Sequence, residues 1–105
     1  IEVAPGGITW QGEDLIATYK SSEWAERGWC RECGSNLFWR LTAPGPMQGL
    51  LALCAGSLDR LDGLELQSEV YIAHKPAGHA FAGDRKRMTE AEVLASVGMT
   101  PPEDT

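Results

Sequence analysis

The chain has no long apolar run, no surplus of positive charge and no dense even set of cysteines, and each lack removes a class of protein. Its longest unbroken apolar stretch, residues 50–55, spans six residues, far short of the roughly 18–20 a membrane-spanning helix requires. With 9 Lys and Arg against 15 Asp and Glu, the formal charge is −6. Phosphate-backbone binding needs cations to displace condensed counterions, so nucleic acid is not an expected partner. Three cysteines in 105 residues do not make the paired framework of a small secreted domain; a reducing cytoplasm, with thiolates kept for metal, fits better. The first residue is Ile1 rather than Met, with neither a charged nor an apolar leader region after it. The sequence therefore reads as a fragment of a longer protein.

What the chain does have is enough apolar content for a core, 43 %, broken by 12 Gly and 6 Pro that exclude long helices almost everywhere. Its length predicts one soluble domain over residues 1–99, followed by a tail over 100–105. Short strands are expected over residues 1–4, 8–11, 15–20, 25–29, 37–41, 49–55 and 70–73, set off by turn signals such as Pro5-Gly6-Gly7, Gly12-Glu13-Asp14 and Pro44-Gly45-Pro46. One helix is expected over residues 90–97. Thr89 and Glu92 have capping-box spacing, Met88 and Val93 stand where a hydrophobic staple would close, and Gly98 suits the C′ position. Pro101-Pro102 forbids continuation, so residues 102–105 are expected to fray.

Cys30-Arg31-Glu32-Cys33-Gly34 is the most specific feature. Two thiolates two residues apart can take adjacent corners of a zinc tetrahedron, and a glycine after the second allows the positive φ such a knuckle needs. A redox C-x-x-C is the alternative; it wants a strand-to-helix setting, whereas Gly34-Ser35-Asn36-Leu37 reads as turn and strand. Cys30 and Cys33 are thus expected metal ligands. Cys54 lies in an apolar run and is expected to be a small buried hydrophobe, while His74 and His79 read as ordinary loop histidines. Gly56 and Ser57 read as a turn with Leu58 packed inward, in preference to a catalytic role for Ser57 or Asp59. Trp10, Trp24, Trp29 and Trp39 are expected in packing, and Arg85-Lys86-Arg87 as a solvated turn before the helix.

The string Arg27-Gly28-Trp29-Cys30-Arg31-Glu32-Cys33-Gly34-Ser35-Asn36-Leu37-Phe38, with Tyr19 before it and Ala55-Gly56-Ser57-Leu58-Asp59 after it, resembles the second half of the glutathione-dependent formaldehyde-activating enzyme and centromere protein V family. The likeness runs from the first strand to about Lys75. It implies a mainly β fold, a small zinc-stapled β-tent of short antiparallel strands with one short C-terminal helix. It also implies a structural zinc shared between an early C-x-C pair and the later C-x-x-C pair, which Cys30 and Cys33 match, and a catalytic zinc on a C-x-C-x-x-C cluster. The early pair and that cluster would lie upstream of Ile1, so no catalytic residue is expected within these residues. The implied chemistry is carbon–sulfur lyase chemistry: reversible addition of a small-molecule thiol, such as glutathione, to formaldehyde or a related aldehyde. A non-catalytic zinc-stabilised binding or chaperone-like module is the alternative, because fold does not fix function. The family often carries a Lys followed by an aromatic near the C-terminus; Lys75 fits, and His79 stands where the aromatic is usual.

Overall fold

A computed structural model describes residues 1–99 of the chain; the 100–105 tail, with Pro101 and Pro102, lies outside the described residues. The chain divides into two compact units at Asp62/Gly63. It is mainly strands, in an antiparallel sheet, with one short helix near its C-terminus.

The first unit is a five-stranded sheet made of β1 (Glu2–Val3), β2 (Ile16–Lys20), β3 (Ala25–Cys30), β4 (Asn36–Leu41) and β5 (Leu51–Leu53). Its spatial order is β1-β5-β4-β3-β2, antiparallel throughout. Strands β2 to β5 form a meander, each pairing with its sequence neighbour, as tight turns between alternating strands dictate. Along β3 and β4 the pairs Glu26↔Arg40 and Gly28↔Phe38 share a face, because side chains alternate with a period of two. The register then slips between Gly28 and Trp29, and Trp29 pairs with Asn36, so Leu37 is passed over. A bulge of this kind bends the strand where the cysteine turn begins.

Phe38 and Leu51 are buried on that face, which the register Phe38↔Leu53 and Arg40↔Leu51 carries across to β5. Trp10 covers it, its ring centroid 5.5 Å from that of Phe38. The Arg40 guanidinium lies 4.6 Å from the Phe38 centroid, and its Nε donates to Glu26 Oε1 at 2.9 Å. A flat cation over an aromatic face, with its charge answered by a carboxylate, lets an arginine roof an apolar core. On the opposite face Ala25 is fully buried.

Residues 8–11 are not a strand. They pair with neither edge strand of the sheet, β1 or β2, and Gly12 at φ 76° turns the chain after them. The segment contributes Trp10 to the core instead of backbone bonds to the sheet. The strand expected over 49–55 contracts to Leu51–Leu53, and Leu15 closes a 3-10 turn over Glu13–Leu15.

The second unit holds β6 (Ser68–Val70), β7 (Lys86–Met88) and the helix α1 (Glu90–Ser96). β6 and β7 pair in parallel, Ser68↔Lys86 to Val70↔Met88, which departs from the expectation of antiparallel strands only. The strand expected over 70–73 shifts toward the N-terminus because Tyr71 takes a left-handed conformation, φ 56° and ψ 39°, and a 3-10 turn over Ile72–His74 follows it. It is the one non-glycine residue at positive φ among the described residues. α1 begins as the sequence indicates: Thr89 Oγ1 accepts from the Glu92 amide and Glu92 Oε1 from the Thr89 amide, a complete capping box. Leu94 is its buried anchor, and Gly98 follows at φ 75°.

Arg85, Lys86 and Arg87 are not a solvated turn. They run into β7, and Arg85 Nη1 and Arg87 Nε donate to Glu69 Oε2 at 2.7 and 3.0 Å. The Glu69 side chain is only a tenth exposed. Arg85 first, then Arg87, holds the Glu69 carboxyl below the usual carboxylate range, against the opposing effect of burial. A carboxyl lowered on folding adds stability that is complete above its unfolded value, about 4.3 for Glu, and lost as pH falls through the lower folded value. Glu69→Gln is therefore expected to melt below the parent chain at neutral pH, with the gap closing under acid conditions. A gap of constant size across the acid range would show that the ion pair does not set it.

Candidate metal centre

The turn between β3 and β4 places the two motif cysteines. Cys30 ends β3, its amide donating to the Ser35 carbonyl at 2.9 Å, and the Gly34 amide donates back to the Cys30 carbonyl at 2.8 Å. Gly34 sits at φ 79°, a conformation that costs any residue with a Cβ and that reverses the chain after Cys33. The turn is tied to the neighbouring strand as well. The Arg31 amide donates to the Leu15 carbonyl at 2.8 Å, and Arg31 Nη2 reaches the Ile16 carbonyl at 3.5 Å.

Cys30 is half-buried and Cys33 exposed, both as free thiols. Cys33 Sγ lies 3.3 Å from Ser35 Oγ. The Ser35 hydroxyl, then the Ser35 amide and the Cys30 thiol, hold the Cys33 thiol below the ordinary cysteine range. Donors directed at a sulfur favour the thiolate, the form that ligates zinc and attacks electrophiles. The setting is strand–turn–strand, with no helix following the pair, so it lacks the helix N-terminus on which a redox C-x-x-C relies.

The pair keeps the C-x-x-C sequence spacing common among zinc ligands, with Cys33 exposed. Among the described residues no group of three or more His, Cys, Asp or Glu side chains could hold a metal ion, so Cys54 is not assembled with the pair. Cys54 belongs to the turn after β5. Its amide donates to the Leu37 carbonyl at 2.8 Å, and its carbonyl accepts from Ser57 Oγ at 2.7 Å. The thiol is half-buried rather than buried, because β5 ends at Leu53 and the chain enters the 3-10 turn Ala55–Ser57. Ser57 is thus a turn residue, as expected. Leu58 is not packed inward but 37 % exposed.

His74 and His79 belong to the second unit. His74 Nε2 lies 3.2 Å from Glu90 Oε2. Lys75 Nζ donates to the carbonyls of Pro76 and His79 at 2.9 and 2.8 Å, closing a small loop on itself. Trp24 is exposed, whereas Trp10, Trp29 and Trp39 are half-buried. Sequence reasoning missed Ser35 as a partner of Cys33, although it lies within the motif; the signal is a hydroxyl two residues after the second cysteine, across a positive-φ glycine.

Comparison of the chain with protein-family models, with curated proteins and with solved structures found no match. No helix among the described residues is long and apolar enough to cross a membrane.

Proposed function

We propose that Cys30 and Cys33 are two of the four ligands of a structural zinc, in a zinc-stapled β-tent of the glutathione-dependent formaldehyde-activating type. The observation that carries this is the knuckle itself: two free thiols on a hairpin turn, closed by Gly34 at φ 79° and with Cys33 Sγ 3.3 Å from Ser35 Oγ. A structural zinc takes four protein ligands. With three cysteines in the 105 residues, and Cys54 standing apart from the pair, the remaining ligands come from outside this sequence.

The activity that goes with this reading is reversible addition of glutathione to formaldehyde. The thiol sulfur forms a bond to the carbonyl carbon, the carbonyl π bond breaks, and the proton lost from sulfur ends on the new hydroxyl. A catalytic zinc supplies thiol deprotonation at neutral pH and carbonyl polarisation. No catalytic residue is assigned within these 105 residues; their contribution is the folded β support and half of the structural metal site. A cytoplasmic setting, where glutathione is plentiful and cysteines stay reduced, agrees with the reading.

The test is NMR exchange between glutathione and its formaldehyde adduct in the presence of the protein at its natural length. Faster exchange than in buffer, abolished when zinc is stripped and recovered when it is returned, is the expected result. Zinc bound at the knuckle with exchange no faster than in buffer would overturn the enzymatic reading in favour of a zinc-stabilised binding module.

A further inference from the structure

The second unit contains a cavity of about 310 Å³, at the lower end of the roughly 300–1,000 Å³ of small-molecule sites. Its wall combines apolar surface with an uncommitted positive charge. Leu66, Val70 and Phe81 line it and are 51 %, 57 % and 60 % exposed, so three large apolar side chains of one cavity stand in contact with water. Lys75 also lines it, with Nζ held at the carbonyls of Pro76 and His79, themselves lining residues. An ammonium has three donors. Two are spent here on neutral carbonyls, and among the described residues no carboxylate pairs with Lys75.

Two other ionisable groups of the wall, Glu69 and His74, have partners outside it. Glu69 is held by Arg85 and Arg87, and His74 faces Glu90. Tyr71, in the same wall, is the residue in the left-handed conformation. A strained non-glycine backbone is retained where the surroundings fix it, and such positions concentrate at ligand sites. Its phenol ring, with its centroid 5.7 Å from that of His74, stands in a wall that also holds Phe81 and Lys75.

We propose that this cavity binds a small monoanionic carboxylate with an apolar body. The carboxylate meets the third donor of Lys75, and the body covers Val70, Tyr71 and Phe81. A single negative charge matches the single unanswered cation, and an ammonium–carboxylate hydrogen bond is stronger than one to a neutral acceptor. The site lies in the second unit and is independent of the zinc reading.

Phenylacetate is the probe, with phenethyl alcohol as its uncharged counterpart and acetate as the charge without the body, followed by amide NMR of the whole chain. Phenylacetate is expected to move the Val70, Tyr71 and Phe81 resonances saturably, with a Kd of about 1 mM or tighter, and the alcohol and acetate to bind about tenfold more weakly or not at all. Lys75→Gln should weaken phenylacetate by about tenfold and Lys75→Arg should retain it, whereas Lys20→Gln on β2 should change nothing. The alcohol comparison needs no substitution, so a variant that misfolds leaves the test intact. Equal affinity for phenylacetate and phenethyl alcohol, shifts that do not saturate, or a folded Lys75→Gln chain that binds as the parent does would each overturn the assignment.

Discussion

Gly28→Ala, made in the protein at its natural length, is expected to lower its melting temperature by about 10–20 °C, the effect of about 2–3 kcal/mol in a unit of this size. Space sets this requirement. Gly28 is not among the glycines at positive φ, but a Cβ there would stand 2.3, 2.5 and 2.7 Å from Cζ, Cε2 and Cε1 of Phe38. The ring cannot retreat, since Trp10 lies against it and the Arg40 guanidinium is stacked on it. The glycine therefore lets an aromatic from β4 lie flat across β3, which a neighbouring-strand pair allows only when one partner has no side chain. A double variant, Gly28→Ala with Phe38→Leu, should melt above Gly28→Ala alone, because the smaller side chain returns the room that the methyl takes. Circular dichroism melts of the two variants decide the matter. A Gly28→Ala chain melting with the parent would refute the packing argument.

The second large effect concerns the knuckle. On the zinc reading, joint replacement of Cys30 and Cys33 by Ser is expected to abolish bound zinc in the protein at its natural length, while Cys54→Ala leaves zinc content unchanged. Structural zinc supplies an apparent folding free energy of about 10–16 kcal/mol in small zinc-finger peptides, against a net stability of about 5–15 kcal/mol for a whole domain. Losing the metal should therefore remove cooperative melting as well as zinc, and a strong chelator should do the same to the unaltered protein. Elemental analysis combined with thermal denaturation reads both. Zinc retained by the double variant would remove Cys30 and Cys33 from the ligand set, and zinc lost with Cys54→Ala would add Cys54 to it.

Local chemistry was the legible part of this chain. The capping box of Thr89 and Glu92 is present in full, Gly34, Gly12 and Gly98 take the positive φ their turn positions require, and the strands on either side of the cysteine turn form where alternation places them. These features depend on a few adjacent residues. Pairing partners depend on distant ones, and there the reading fell short. Residues 8–11 have the β-branched and aromatic composition of a strand, yet they pair with no strand of the sheet and contribute Trp10 to the core instead. Residues 85–87 have the composition of a charged turn, yet Glu69, 16 and 18 residues earlier, gathers Arg85 and Arg87 while Lys86–Met88 pairs with β6. At the candidate site, the cysteine pair was visible from spacing alone. Ser35 was not, since its role depends on how Gly34 turns the backbone. The carboxylate cavity was invisible for a stronger reason: Tyr71's left-handed φ, on which its wall depends, has no signature in a residue type that ordinarily avoids it.

The strand β1 also governs how the first sheet comes apart. Strands β2 to β5 zip from neighbour to neighbour, but β1 reaches β5 across the interval from Glu2 to Ala52. Closing a loop ten times longer than a hairpin's costs about 2 kcal/mol more chain entropy, and only the two residues of β1 and the pair of backbone bonds between Ile1 and Leu53 offset it. β1 is consequently the last strand to join during folding and the first to leave in native fluctuations, well before the meander opens. Each departure uncovers the outer edge of β5 beside the fully buried Leu51: a short, apolar row of unpaired amides and carbonyls, and the point at which a foreign strand could take β1's place.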